Sequence, residues 1–183
     1  QTGALVALPT DASYVLACHL EDRTAVDRMR QLRGIDEKHL LTLLCRDLSE
    51  LSQYAQVDNR QFRFLKEWTP GAYTFILPAT REVPRRLMHP SRKTVGLRVP
   101  EAPIVQALLA ELGVPLLCAS LILPGDEDPL SDPDDIEDRI GKRIDLLVDG
   151  GAGQLEATSV IDVTGYEPVI QRVGLGPVEA MLR

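Results

Sequence analysis

The sequence predicts a single-domain α/β fold: one sheet of mixed strand direction with flanking helices. Three observations carry that expectation. Apolar runs of strand length alternate with segments of helical periodicity that begin and end on capping residues. Several strand-like runs follow one another with no helix between them, which excludes a purely doubly wound parallel sheet. The length of 183 residues, with 44% hydrophobic and 26% charged residues, supplies one sizeable core and excludes wholesale disorder. No internal repeat or interdomain linker interrupts the pattern, so residues 1–183 are expected to form one domain.

The elements follow in order. Ala4 to Leu8 and Tyr14 to Leu20 read as buried strands. Asp22 caps a helix through Arg33, whose Ala25, Val26, Met29 and Leu32 share one face, and Gly34 stops it. Leu40 to Cys45 is a strand, and Asp47 and Asp58 open helices over Leu48–Ala55 and Asn59–Trp68. Thr69-Pro70-Gly71 is a turn signal. Tyr73–Ala79 and Thr94–Val99 are strands, with a short basic helix expected around Val83–Met88. Pro103 starts a helix that runs to Leu112 and stops at Gly113. Pro115–Leu121 is a buried strand, and the acidic stretch Leu123–Asp135, with three prolines, reads as an exposed loop. Asp132 caps a helix through Ile140; Ile144–Asp149, Ser159–Thr164 and Pro168–Val173 complete the strands.

Composition narrows the function classes. No apolar run approaches the roughly 20 residues of a membrane-spanning helix, and Ala4–Leu8 is too short for a signal-peptide core. The chain begins at Gln1 rather than methionine, so a trimmed N-terminus is expected. Cys18, Cys45 and Cys118 each sit inside an apolar run, which predicts buried reduced thiols and a cytoplasmic location. His19, His39 and His89 lack metal-ligand spacing, so no structural metal is expected. The net charge of −7 hides an asymmetry. Nine basic residues between Arg60 and Arg98 face only Glu67 and Glu82, whereas Glu101 to Asp162 holds 14 acids against Arg139, Lys142 and Arg143. The middle third can therefore present a local basic face, with Arg60, Arg63, Arg85, Arg86, Arg92 and Lys93 as candidate RNA-binding residues; solvated helix faces are the plainer reading. Aromatics at 4% argue against a base-stacking platform.

The chain carries no Walker loop, Gly-x-Ser-x-Gly, Rossmann fingerprint or His-Glu-x-x-His. Gly150-Gly151-Ala152-Gly153 is a turn or an anion nest. The acids of residues 126–135 lack the glycine and terminal Glu of a calcium loop. What remains is a set of small hydroxyls at strand ends, Thr10, Ser120, Thr158 and Ser159, where ligand-facing groups of open α/β sheets are found. Arg98 lies inside an apolar strand and needs an anion, internal or bound, because an unpaired buried guanidinium is prohibitively costly. Arg172 in Val169-Ile-Gln-Arg-Val-Gly174 poses the same question.

These positions resemble the YrdC family, the threonylcarbamoyl-adenylate synthases that serve universal tRNA modification. The resemblance runs almost the length of the chain, through Pro9-Thr-Asp-Ala-Ser-Tyr14, Trp68-Thr-Pro-Gly-Ala-Tyr-Thr74, Val95-Gly-Leu-Arg-Val-Pro100, Cys118-Ala-Ser120, Asp149-Gly-Gly151, Thr158-Ser-Val-Ile-Asp162 and Arg172-Val-Gly174. Cys45-Arg-Asp-Leu-Ser-Glu-Leu-Ser52, Glu82-Val-Pro-Arg-Arg-Leu87 and Arg92-Lys-Thr-Val-Gly-Leu-Arg98 are closer to the YciO branch.

The resemblance implies a twisted sheet with a concave, electropositive cavity, and ATP, L-threonine, bicarbonate and magnesium as the synthase reactants. It implies that Thr10 and Tyr14 line the threonine end and that Arg98 meets a carboxylate or phosphate. Ser120, Thr158 and Ser159 would hydrogen-bond the adenylate, and Arg172 would close the far wall. The chain departs from the synthase pattern where a Lys-x-Arg pair and a second lysine stand. It has Arg33-Gly34-Ile35 and His39-Leu40-Leu41 there, with Arg33 and Lys38 as partial replacements. Ser-x-Asn becomes Ser120-Leu121-Ile122. The expectation is a YciO-type protein associated with nucleotide and with tRNA or double-stranded RNA, its triphosphate site eroded. The alternatives are an active threonylcarbamoyl-AMP synthase and a non-catalytic double-stranded-RNA-binding module.

Overall fold

The computed structural model describes residues 3–36 and 38–182; Gln1, on which the expected trimming rests, lies outside them. Strands β1 (Val6–Leu8) and β2 (Val15–His19) form an antiparallel pair, and the chain then turns through Asp22 into helix α1 (Arg23–Arg33). The Asp22 carboxylate accepts the Ala25 amide at 3.1 Å, and Gly34 ends the helix at a φ of +65°, a conformation that glycine adopts without a Cβ clash. Strand β3 (Thr42–Leu44), helix α2 (Leu48–Tyr54), helix α3 (Asn59–Trp68) and strand β4 (Tyr73–Pro78) follow. Asp58 and Gln61 close a reciprocal capping box at the start of α3. Strand β5 (Thr94–Arg98) leads to helix α4 (Pro103–Leu112) and strand β6 (Leu116–Ser120). Helix α5 (Pro133–Ile140), the short strand β7 (Leu146–Leu147), and strands β8 (Ser159–Asp162) and β9 (Val169–Arg172) complete the fold.

Nine strands make one mixed sheet in the order β7-β1-β2-β6-β3-β5-β4-β8-β9. The pairs β1/β7, β3/β5 and β4/β8 are parallel and the others antiparallel. The basic helix expected near Val83–Met88 is a single 3₁₀ turn, Arg85–Leu87. Pro84 and Pro90 bracket it, and a residue that precedes proline is held out of the helical region. The segment of residues 123–135 is less exposed than its acids imply. Leu123 and Leu130 are buried, and the Leu130 amide donates to the Leu121 carbonyl.

Strand side chains alternate between faces, so the register decides what each face carries. One face, with Leu16, Leu43, Phe75, Leu97, Leu117 and Ile161, is covered by α1, α2, α3 and α5 and forms the main core. The few aromatics are concentrated there: Phe64, Trp68, Tyr73 and Phe75 meet with ring centroids 6.0 to 6.5 Å apart. The other face is covered only at one end, where Val105 and Leu109 of α4 pack on Leu8, Val15, Leu44 and Cys118. The rest of that face is open.

All three thiols are buried and free. Burial pushes Cys18 up to about 12 and Cys118 up to about 11, and drives Cys45 well above the ordinary thiol range. A thiol-disulfide reagent at pH 8 is therefore expected to titrate no cysteine in the folded protein and all three in denaturant. Rapid reaction of a thiol in the folded state would contradict this burial.

Candidate functional site

The uncovered part of the sheet carries polar side chains because no helix caps it. Register pairs Thr42 of β3 with both Gly96 of β5 and Cys118 of β6; Gly96 pairs with Ile76 of β4, and Thr74 of β4 with Val160 of β8. These residues therefore share one face, and all of them but Gly96 line, with Arg33, Arg98, Ser120, Thr158 and Arg172, a cavity of about 250 Å³. Gly96 lies between Thr42 and Thr74. A Cβ there would come within 2.8 Å of Thr42 Oγ1 and 3.1 Å of Thr74 Cγ2, so glycine lets the two threonines converge. The Thr74 and Thr158 hydroxyls share a hydrogen bond of 2.7 Å. Leu40, Ile76, Ile122 and Val160 supply apolar wall.

Three guanidiniums converge on this space from different elements. Arg33, in the last turn of α1, donates from Nη1 to the Ile122 carbonyl at 2.8 Å. Arg172, at the end of β9, donates from Nε and Nη2 to the Thr158 carbonyl at 3.0 and 2.8 Å. Arg98 is 3% exposed and donates from Nη2 to Asp11 Oδ1 at 2.9 Å and to Thr10 Oγ1 at 3.2 Å. The Nε atoms of Arg33 and Arg98 are buried without a hydrogen-bond partner among the described residues. Among those residues no carboxylate lines the cavity. Burial lowers the pKa of Arg33 and Arg172, and each is lowered further by a neighbouring guanidinium: Arg33 by Arg172, and Arg172 by Arg98. His39 at the rim is lowered too, first by burial and then by Arg33. The arrangement offers three guanidiniums and several hydroxyls, a donor set that suits an anion, with the His39 imidazole as the titratable base in its lining.

Five of the predicted residues, Arg33, Arg98, Ser120, Thr158 and Arg172, meet here. Thr10 touches the site through Arg98 and fastens its own turn by donating to the Ser13 carbonyl at 2.7 Å. Tyr14, Ser159 and Lys38 do not line the cavity. The Tyr14 hydroxyl donates to the Gly151 carbonyl and accepts the Gly150 amide, so it latches the glycine-rich turn to β2. Ser159, wholly buried, donates to the Gly176 carbonyl and accepts the Gly174 amide. Lys38 is exposed. Thr42, Thr74, Gly96, His39 and Asp11 were not singled out from the sequence; the two-residue alternation of β3, β4 and β5 would have found the first three once their register was known.

Four of the six candidate RNA-binding residues meet groups of the protein itself. Arg60 lies 4.8 Å over the Tyr166 ring and donates to the Gly165 carbonyl, and Arg86 donates to the Leu20 carbonyl. Lys93 donates to the Pro90 carbonyl, and Arg92 stands 4.0 Å from Asp162. Arg63 and Arg85 are exposed. A larger hollow of about 580 Å³ at the ends of β3 and β5 holds none of the predicted residues, and its Arg46 and Lys66 are offset by Asp47 and Glu101. Among the described residues no helix is long and apolar enough to cross a membrane.

Residues 1–174 match the Sua5/YciO/YrdC family model, described as "Telomere recombination". The chain is 51% identical to YciO of Escherichia coli strain K12 over 180 residues, 98% of this chain and 87% of that protein. The crystal structure of Escherichia coli YciO matches it with a TM-score of 0.94 at 50% identity, over 98% of this chain and 87% of that one. The threonylcarbamoyl-AMP synthase of Vibrio vulnificus strain YJ016 is 28% identical over 174 residues, 93% of this chain and 92% of the synthase. Pyrococcus abyssi Sua5 complexed with L-threonine gives a TM-score of 0.88 at 28% identity, over 98% of this chain and 53% of that one.

Two measurements test this geometry. Gly96→Ala is expected to cost about 1–3 kcal/mol of stability through overpacking against Thr42 and Thr74, read as a lower Tm; unaltered stability would contradict the tight approach of the two threonines to Gly96. His39 is expected to titrate below its ordinary 6.5 in the folded protein. The unfolded chain takes up that proton first, so the contribution of His39 to stability is lost as pH falls below about 6.5. An NMR titration assigned with His39→Gln checks the direction, and a His39 pKa at or above 6.5 would refute the combined effect of burial and the neighbouring arginines.

Proposed function

The chain belongs to the Sua5/YciO/YrdC family, as a YciO-type relative of the threonylcarbamoyl-AMP synthases, and we propose that its cavity binds an adenylate while holding a triphosphate weakly. The observation that carries the proposal is the convergence of Arg33, Arg98 and Arg172 on a hydroxyl-lined cavity with no carboxylate in its wall among the described residues. Buried guanidiniums of this kind stabilise a phosphate oxygen without any acid–base chemistry. The cavity's 250 Å³ lies below the roughly 300–1,000 Å³ of typical ligand pockets, which suits a phosphate monoester and its flanking group more than a triphosphate tail. Apolar Ile122 in the wall and exposed Lys38 outside it both support a weakened polyphosphate end.

ATP fits the donor set through its α-phosphate. No cluster of three His, Cys, Asp or Glu residues among those described is placed to hold a metal, so magnesium would arrive on the nucleotide phosphates.

A second reading is binding of tRNA or double-stranded RNA through phosphate contacts, which the exposure of Arg63, Arg85, Arg92 and Lys93 supports. Salt separates the two: phosphate-led RNA binding collapses between low and moderate salt, and a recessed adenylate site responds less.

The test of the main reading is calorimetry with AMP, together with an incubation of ATP, L-threonine, bicarbonate and magnesium followed by mass spectrometry for threonylcarbamoyl-AMP. AMP is expected to bind, Arg172→Ala to weaken it by about tenfold or more, and product formation to be slow or absent. Vigorous threonine-dependent product would instead establish a working synthase, and failure of AMP to bind folded protein would remove the adenylate reading.

A further inference from the structure

Of the three cavity guanidiniums only Arg98 meets a carboxylate among the described residues. Asp11 Oδ1 accepts from Arg98 Nη2 at 2.9 Å, and the two side chains are 10% and 4% exposed. The other oxygen, Oδ2, accepts the Glu101 amide at 2.8 Å, which fixes the carboxylate from behind. Arg33 and Arg172 donate to backbone carbonyls, Ile122 and Thr158, which carry no net charge. Asp11 does not itself line the cavity, yet it cancels one of the cavity's three positive charges. It also holds Arg98 by Nη2 alone, which leaves the buried Nε without a partner. A buried donor of that kind is costly unless a ligand completes it.

We propose that Asp11 is a specificity-determining positioning residue that sets the charge the cavity offers: by neutralising Arg98 it leaves two uncompensated guanidiniums, matched to the dianion of a phosphate monoester rather than to a polyphosphate. The inference rests on the adenylate reading and adds to it the residue that selects the charge state. A triphosphate brings more negative charge than Arg33 and Arg172 can offset, and the excess must be desolvated. A phosphate monoester near neutral pH carries about two negative charges, which these two arginines balance.

The experiment is calorimetry of the full chain with AMP and with metal-free ATP, in the wild type, Asp11→Asn and the double variant Asp11→Asn/Arg98→Gln. Circular dichroism and thermal melts establish folding. Asp11→Asn adds one net positive charge, and the ATP-to-AMP affinity ratio is expected to rise by about tenfold. The double variant removes both members of the pair and returns the net charge to its original value. Its ratio is expected within about twofold of wild type, with both nucleotides bound more weakly. A merely structural role for Asp11 would weaken both ligands together and leave the ratio unmoved. An unchanged ratio in folded Asp11→Asn overturns the inference, as does a double variant whose ratio departs from wild type as far as the charge change predicts for the single one. If Asp11→Asn does not fold, Arg98→Gln alone decides: it removes one positive charge while Asp11 stays, the ATP-to-AMP ratio is expected to fall by about tenfold, and an unmoved ratio in the folded variant overturns the inference. A wild type that binds neither nucleotide defeats the adenylate reading and this inference with it, whereas nucleotide binding with unmoved ratios defeats this inference alone.

Discussion

A guanidinium in the middle of a sheet is tolerated only where an anion meets it, and Arg98 meets Asp11. That pair joins the turn after β1 to the end of β5, across the strands β2, β6 and β3 that lie between them in the sheet. It also fixes where the cavity can be. Arg98 shares its face with Thr42, Gly96 and Thr74, and a helix laid over that region would seal a charge that has only one carboxylate to balance it. Helix α4 covers the neighbouring apolar stretch from Leu8 to Cys118 and leaves the polar stretch uncovered.

The sheet is therefore asymmetric in chemistry as well as in cover. One face supplies the main core, with four helices and the aromatic cluster packed on it. The other is divided between an apolar patch under α4 and a polar bowl fenced by Arg33, Arg98 and Arg172. The main core and the polar cavity thus lie on different surfaces, which lets hydroxyls and a glycine occupy central strand positions without weakening the principal core.

Much of this was legible in the sequence. Helix α3 runs from Asn59 to Trp68 and α4 from Pro103 to Leu112, because Asp58, Pro103 and Gly113 are strong local signals. The prolines Pro84 and Pro90 were just as visible, yet the short basic helix expected around Val83–Met88 was longer than the single turn they allow. Within the site, Arg98 and Arg172 stood out as charges inside apolar runs. Tyr14, named through the family resemblance, and Ser159, a strand-end hydroxyl, lie outside the cavity lining and hydrogen-bond Gly150 and Gly174, backbone more than ten residues away in sequence. Asp11 and His39 carried no local signal. Their roles arise from partners contributed by β5 and α1, which only the folded chain brings together.

The buried Ser159 hydroxyl has a consequence for binding energetics. By donating to the Gly176 carbonyl and accepting the Gly174 amide, it ties the chain beyond β9 to the start of β8. Gly174 itself passes so close to the Ala157 and Thr158 carbonyls that a Cβ would lie 2.4 Å from either oxygen. Thr158, whose carbonyl holds Arg172, is thereby clamped from two sides. The Arg172 side of the cavity is preorganised, so the adenylate proposed above would meet a guanidinium whose rotamer entropy was surrendered when the protein folded, and little of its interaction energy would be spent on ordering the wall.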